Sequence, residues 1–178
     1  MPFRLFSSDR RQRERIAHSL YLAILAQARQ PTFYADLGVP DTVDGRFDLI
    51  VAHAFLVMRR LGRVEGGKDL SQALFDLMFA DMDQQLREMG VTDLAVGRKV
   101  RQMAEAFYGR VAAYEKGMAA GREALAEAVA RNLYRAEDPA AAAHAGAMAD
   151  HLVAAEARLA AQADADLVAG RISFAEPS

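Results

Sequence analysis

The residues in this chain best suited to chemistry are acidic. Asp76, Asp81, Asp83 and Glu88 crowd one stretch. Aspartates projecting from facing helices can hold Mg²⁺ for work on diphosphates such as those of isoprenoids. At about 100° per residue, Asp76 and Asp83 share one edge of a helix while Asp81 points well away. The three cannot converge on one ion without a second acidic helix, and its candidate, bearing Glu105 and Glu115, has no clustered aspartates. The magnesium enzyme is therefore the weaker reading. His144, Met148 and His151 fall on one face at spacings of four and three, without the carboxylate support that imidazole metal sites use. Surface histidines on an alanine-rich helix account for them more simply. His18 and His53 lie near apolar faces and are expected to be hydrogen-bonded inside a bundle. Gly62–Asp69, GRVEGGKD, nearly spells a phosphate-cradling loop. However, Asp69 replaces the hydroxyl that would hold Mg²⁺, and a helix precedes the loop where a strand is needed. Asp69 as a helix N-cap explains the stretch better. With no cysteine and no Ser/His/Asp arrangement, the expectation is of no catalytic residues, no cofactor and no metal.

The elements that carry these residues are helices. Ala, Leu, Arg, Glu, Gln and Met dominate, and alternating runs of Val, Ile or Thr are missing. The stretch Asp69–Met118 organises the chain as two long helices joined by a short turn. The first is apolar around most of its girth, with Leu70, Leu74, Leu77 and Met78 beside Phe75, Phe79, Met82, Leu86 and Met89. Gly90 ends it in a left-handed cap and Thr92 caps its successor, whose stripe is Val96, Val100, Met103, Phe107, Val111, Tyr114 and Met118. So short a turn makes the two antiparallel neighbours. This hairpin is read as the core of an all-α, single-domain bundle of six to seven helices.

Before it, a first helix buries Ile16, Leu20, Ile24 and Gln27 and stops at Pro31. Pro31–Gly45 reads as a loop with one helical turn over Phe33–Leu37. Asp44 then caps a helix bearing Phe47, Ile50, Val51, Ala54, Phe55, Met58 and Leu61, ended by Gly62. After it, Arg122–Arg135 forms one helix. Asp138-Pro139 signals another, running to about Ala163. Its row of Ala141, Ala145, Met148, Leu152, Ala155 and Leu159 buries little area, so it is expected to dock most loosely. Residues 170–178 read as a tail that Ile172 and Phe174 could anchor.

The 178 residues are 52% hydrophobic and carry a net charge of −2, enough for one core and against a protein built on phosphate-backbone binding, including specific DNA. No run reaches the roughly 18–20 apolar residues of a membrane span, and no signal peptide is visible, so the expected location is cytoplasmic. The basic arm 1–15, with Arg4, Arg10, Arg11, Arg13 and Arg15, is either the solvated start of a helix or a contact with acidic lipid or ribosomal RNA. Phe75, Phe79, Met82, Met103, Phe107, Tyr108 and Met118 exceed what a tight core needs. Such a surplus of adaptable apolar side chains suits a groove for another polypeptide, not a small-molecule substrate.

At the hairpin the chain resembles the ubiquinol–cytochrome c chaperones, which assist assembly of the respiratory cytochrome bc1 complex. The resemblance rests on Phe75–Leu94 (FDLMFADMDQQLREMGVTDL) and Val96–Tyr114 (VGRKVRQMAEAFYGRVAAY), and more loosely on Leu20–Gly38 and Phe47–Leu61. Met89-Gly90-Val91 followed by Phe107-Tyr108-Gly109-Arg110 and Tyr114 is its most specific part. The resemblance implies a helical, non-enzymatic assembly factor that binds newly made cytochrome b, with a small helper protein in mitochondrial relatives. The Ala/Arg/Gly-heavy composition and the lack of a presequence-like N-terminal extension lead to the expectation of a bacterial form at the inner face of the cytoplasmic membrane. On that reading Phe79, Met82, Tyr108 and Tyr114 line the contact surface, and Asp81, Asp83, Arg98, Lys99 and Arg110 set its polar rim. The rivals are a general helical interaction module and the magnesium-dependent enzyme weighed above.

Overall fold

Helix formers dominate the composition, and helices carry the fold of the computed structural model, which describes residues 3–135 and 139–177. The order is α1 (Phe3–Ala28), α2 (Pro31–Ala35), α3 (Val43–Leu61), α4 (Gly67–Glu88), α5 (Asp93–Ala120), α6 (Arg122–Val129), a π turn (Ala130–Tyr134), α7 (Pro139–Ala160) and α8 (Asp164–Leu167). Among the described residues there is no strand, and no helix is long and apolar enough to cross a membrane. α4 and α5 form the expected hairpin, with Gly90 left-handed at φ 80°. Thr92 sits at the N-cap of α5, but its hydroxyl makes no cap bond.

The deepest burial lies on α3, not on the hairpin. From Phe47 to Val57 every residue except Ile50 is buried, because α4, α5 and α7 all pack against this helix and α1 lies beside it. The hairpin spends part of its apolar girth on solvent: Phe75, Leu77 and Leu86 are only half-buried, and Met89 is 65% exposed. Two polar residues interrupt the apolar face of α3, and each finds its partner on another element. Asp48 is fully buried and pairs with Arg110 of α5 at 2.7 Å and with Arg135 at 3.3 Å. His53 donates Nδ1–H to the Leu49 carbonyl at 2.9 Å, so its Nε2 accepts from Nε2–H of His151 at 3.2 Å.

Several local expectations are corrected. Thr42, not Asp44, caps α3, its Oγ1 accepting from the Gly45 N–H at 3.1 Å. Gly66, left-handed at φ 73°, occupies the N-cap of α4. Asp69 lies in the first turn and pairs with Arg13 of α1 at 3.1 Å. His151 is buried, whereas His18 is exposed. The Arg122–Arg135 helix widens into the π turn, which brings the Tyr134 hydroxyl to the Leu37 carbonyl at 2.6 Å and delivers Arg135 to Asp48. α7 is not loosely docked: Ala145, Met148, Ala149, Leu152, Ala155 and Leu159 are all sealed, since small side chains let the helix axes approach closely. The expected cap Asp138 lies outside the described residues, as do the side chains of Arg4 and Ala141.

Two predictions follow from this packing. The α3–α4 connection closes so tightly that a Cβ on Gly67 would run into the Leu61 carbonyl oxygen, whereas one on Gly97 of α5 would meet nothing. Gly67→Ala should lower the unfolding free energy by about 2 kcal/mol or more, and Gly97→Ala should raise it by about 0.5–1 kcal/mol; urea titration reads both. The buried imidazoles set the acid response. Burial holds His53 down from 6.5 to about 3 and His151 to about 4, so the unfolded chain takes up two protons below pH 6.5 that the native chain refuses. Burial raises Asp48 to about 6, against the pull of Arg110 and Arg135, so below that pH the native chain takes up one proton that the unfolded chain does not. The net is one proton favouring unfolding, a loss of about 1.4 kcal/mol per pH unit as pH falls from 6 to 5. Asp48→Asn removes the compensating proton and should about double that slope in urea midpoints measured across this range.

Candidate functional site

α5 divides the surface of the hairpin into two flanks. Tyr108 and Arg110 are two positions apart, which places them about 200° apart around the helix. On the Tyr108 side four rings form a continuous ledge. Phe75 meets Phe79, Phe107 and Tyr108 at centroid distances of 4.5, 5.3 and 5.5 Å. Phe79 and Phe107 root the ledge in the core, while Tyr108 is 59% exposed at its rim. Edge and tilted contacts of this kind add to the burial of the rings themselves.

The Arg110 side carries a groove of about 330 Å³ between the N-terminal half of α3, the end of α4 and α5. Its apolar surface comes from Val43, Phe47, Leu86 and Met103, and its charges are Lys99, Arg110, Arg135 and Asp44. Cations outnumber anions there, so the groove presents an apolar floor under a basic rim. Arg110 lies over the Phe47 ring at 5.7 Å and is held by the buried Asp48 carboxylate beneath. Arg135 reaches Asp44 at 2.9 Å as well as Asp48. Asp48 thus fixes two guanidinium groups, from α5 and from the π turn, at the same wall of the groove.

The residues expected from sequence separate into three groups. Tyr108, Arg98 and Lys99 are exposed, and the two cations make no ion pair among the described residues. Lys99 and Arg110 share the groove, whereas Tyr108 belongs to the ledge. Phe79, Met82 and Tyr114 do not line an exposed surface as expected: they are 7%, 6% and 0% exposed. All three belong to the core cluster, and Phe79 packs its ring at 5.9 Å from Phe107 of α5. Tyr114 packs its ring at 5.9 Å from Phe55, and its hydroxyl has no hydrogen-bond partner, which marks a core residue with a polar atom left over. The acids are committed within the chain. Asp81 accepts from the Tyr21 hydroxyl at 2.8 Å and from Gln85 at 2.6 Å, tying α1 to α4. Asp83 pairs with Arg87 at 2.6 Å, and Asp76 accepts from Gln72 at 2.8 Å. The three aspartates point to three different neighbours rather than to a shared ion.

Sequence reading missed Val43, Phe47, Asp48 and Arg135. The available signal was Asp48 itself, a lone acid within the apolar run of α3, since a buried carboxylate requires a cation nearby. A larger hollow of about 760 Å³ lies among α1, α2 and α3, with Gln85 of α4 at its edge and Arg29, Tyr34 and Arg46 on its wall. None of the expected contact residues reaches it.

Comparison with known proteins bears on this geometry. The model of the family described as "Ubiquinol-cytochrome C chaperone" matches residues 35–174, which takes in the groove, the ledge and all of α3. The ubiquinol-cytochrome-c reductase complex assembly factor 1 of Xenopus laevis is 26% identical over 124 residues, covering 67% of this chain and 62% of that protein. The mitochondrial protein CBP3 of Saccharomyces cerevisiae is 28% identical over 152 residues, covering 82% of this chain and 44% of that protein. This chain therefore spans about half the length of the curated relatives it matches. The crystal structure of the Cbp3 homolog from Brucella abortus superimposes with a TM-score of 0.83 at 35% identity, covering 99% of this chain and 97% of that one. With the family's pattern running through nearly every helix that builds the groove, this chain belongs to the ubiquinol–cytochrome c chaperone family.

Proposed function

We propose that this chain is an assembly factor for the ubiquinol–cytochrome c reductase complex, and that it acts by holding newly made cytochrome b rather than by catalysis. The family match over residues 35–174 carries the reading, and the names of the relatives point the same way. The groove supplies a physical means. A membrane subunit that has not yet found its neighbours exposes apolar surface that aggregates in water. An apolar floor can cover such a segment reversibly, and a basic rim gives register without adding much affinity. Met103 and Leu86 are adaptable side chains at that floor. Work of this kind belongs near the membrane where the client is inserted, and Arg11 and Arg15, exposed on α1, would favour an acidic lipid surface or the ribosome beside it.

The test is capture from a respiring host that makes the tagged chain. Lys99→Glu combined with Met103→Glu should cut co-purified cytochrome b at least tenfold and lower quinol-dependent cytochrome c reduction, with helical content unchanged. Tyr108→Ala on the ledge should leave both within about twofold. If the ledge variant loses the client and the groove variant keeps it, the contact lies on the other flank of α5. If the unaltered chain captures no cytochrome b, and deleting its gene leaves the reductase intact, the assembly reading fails.

A further inference from the structure

Residues 171–177 run with neither helix nor strand over a seam bounded by α1, α3 and the end of α7. Their hold on the seam is of an unusual kind. Gln162, just past α7, lays its amide along the backbone of Ser173: Nε2 donates to the Ser173 carbonyl at 2.8 Å, and Oε1 accepts from the Ser173 N–H at 2.8 Å. Gln27 of α1, only 6% exposed, donates Nε2 to the Ala175 carbonyl at 3.0 Å. Gln27 is itself turned into place by Gln30, whose Nε2 donates to its Oε1 at 2.7 Å. On the strap both glutamines address main-chain groups alone, so any extended peptide offers them the same partners. Between the two clamps, Phe174 sets its ring edge-on to His53 at 5.3 Å, next to Phe33, which meets both buried imidazoles at 5.2 and 4.9 Å. The seam therefore reads a backbone at two points and one aromatic side chain between them. Side-chain amides bonding a main chain, with a pocket for a single ring, form a recognition device for extended peptides.

We propose that this seam is a receptor for an extended peptide bearing one aromatic residue, and that residues 171–177 are its ligand in cis, exchangeable for such a segment of a client polypeptide. The strap can leave because polar contacts hold it rather than a sealed apolar face: the two glutamine clamps, and at its start the exposed Arg171–Asp166 pair at 2.6 Å. Ile172 and Phe174 are half-buried rather than sealed, and among the described residues the strap forms no backbone ladder, only the bond from the Arg171 N–H to the Asp166 carbonyl at 2.8 Å, so it belongs to the low-stability end of the fold. The tether also sets a threshold. A segment attached to its own receptor acts at an effective concentration on the order of millimolar, so only a client presented at high local concentration, or with a better aromatic fit, displaces it. The inference goes beyond the assembly reading and does not use the groove.

Its test needs no cytochrome b, so the two readings fail separately. A fluorescently labelled peptide with the sequence of residues 171–178 is titrated into the full chain, into the full chain carrying Phe174→Ala, and into a chain ending at Gly170. Binding should be saturable for the shortened chain. Phe174→Ala should bind at least tenfold more tightly than the unaltered chain, whose seam is filled. The same peptide with alanine at the phenylalanine position should lose at least tenfold on the shortened chain, and Gln162→Ala there should weaken binding by a comparable factor. The proposal is overturned if the altered chains keep their helical circular dichroism yet bind no peptide. It is equally overturned if the shortened chain unfolds and Phe174→Ala gains no binding, because the strap is then a fixed part of the core.

Discussion

The fold depends on a constraint set by α3: a helix enclosed by its neighbours that nevertheless carries a carboxylate and an imidazole on its buried surface. Burying either alone would be costly, because a polar group removed from water must find a partner inside. Asp48 takes Arg110 from α5 and Arg135 from the π turn. His53 takes His151 from α7. Apolar packing would tolerate α5 or α7 sliding by a turn along α3, since Leu, Ala and Met surfaces are interchangeable to first order. The polar partners do not tolerate it. A slide of about 5.4 Å, one helical turn, would leave an unpaired carboxylate beside Leu49 or an unpaired imidazole beside Phe33. The buried polar groups contribute less to net stability than to fixing one register among several with similar apolar packing.

The same carboxylate links the fold to the surface. Arg110 and Arg135 form part of the groove wall because Asp48 holds them there, and the π turn is what lets Arg135 reach it. A widened turn shifts the following residues around the helix axis, and π turns recur where a function needs such a shift. The positive rim of the groove is thus an extension of an interior contact, already ordered before any partner arrives. Lys99, which has no such anchor, is exposed and contributes to the rim as a point charge.

The helical class, the hairpin and its Gly90 turn were legible because each rests on local rules: a 3.6-residue apolar period, a left-handed glycine, helix-forming composition. The rank order of burial was not. A count of apolar residues favours α4, with its phenylalanines and methionines, over α3, whose stripe is broken by Asp48 and His53. Yet the break is what shows that α3 lies inside, because its polar groups are paired with distant residues, 62 and 98 positions along the chain for Arg110 and His151. Spacing within one element says nothing about such partners. For the same reason Tyr114 looked available: it has the residue type of an interface anchor, and only the packing of Phe55 against it shows that it is spent on the core. Tyr108 and Lys99, whose exposure follows from lying off the α5 stripe, were placed correctly on the surface.

The distribution of exposed apolar residues fits a protein that must be both stable and adhesive. A helical protein cannot leave a long apolar face open without aggregating with itself. Here much of the exposed apolar surface lies in separate portions with a cationic or structural neighbour. The groove has a basic rim, the ledge is rooted in buried rings, and the seam is covered by residues 171–177. Met89 and Leu94, 65% and 90% exposed at the hairpin tip, stand on either side of Asp93, which is paired with Arg87. Like-charged rims on two copies of the groove repel one another. On the proposed reading, a client that meets more than one portion would gain from each of them. On the assembly reading proposed above, selectivity for an incompletely folded partner would arise from spacing and charge, with no need for a deep specific pocket.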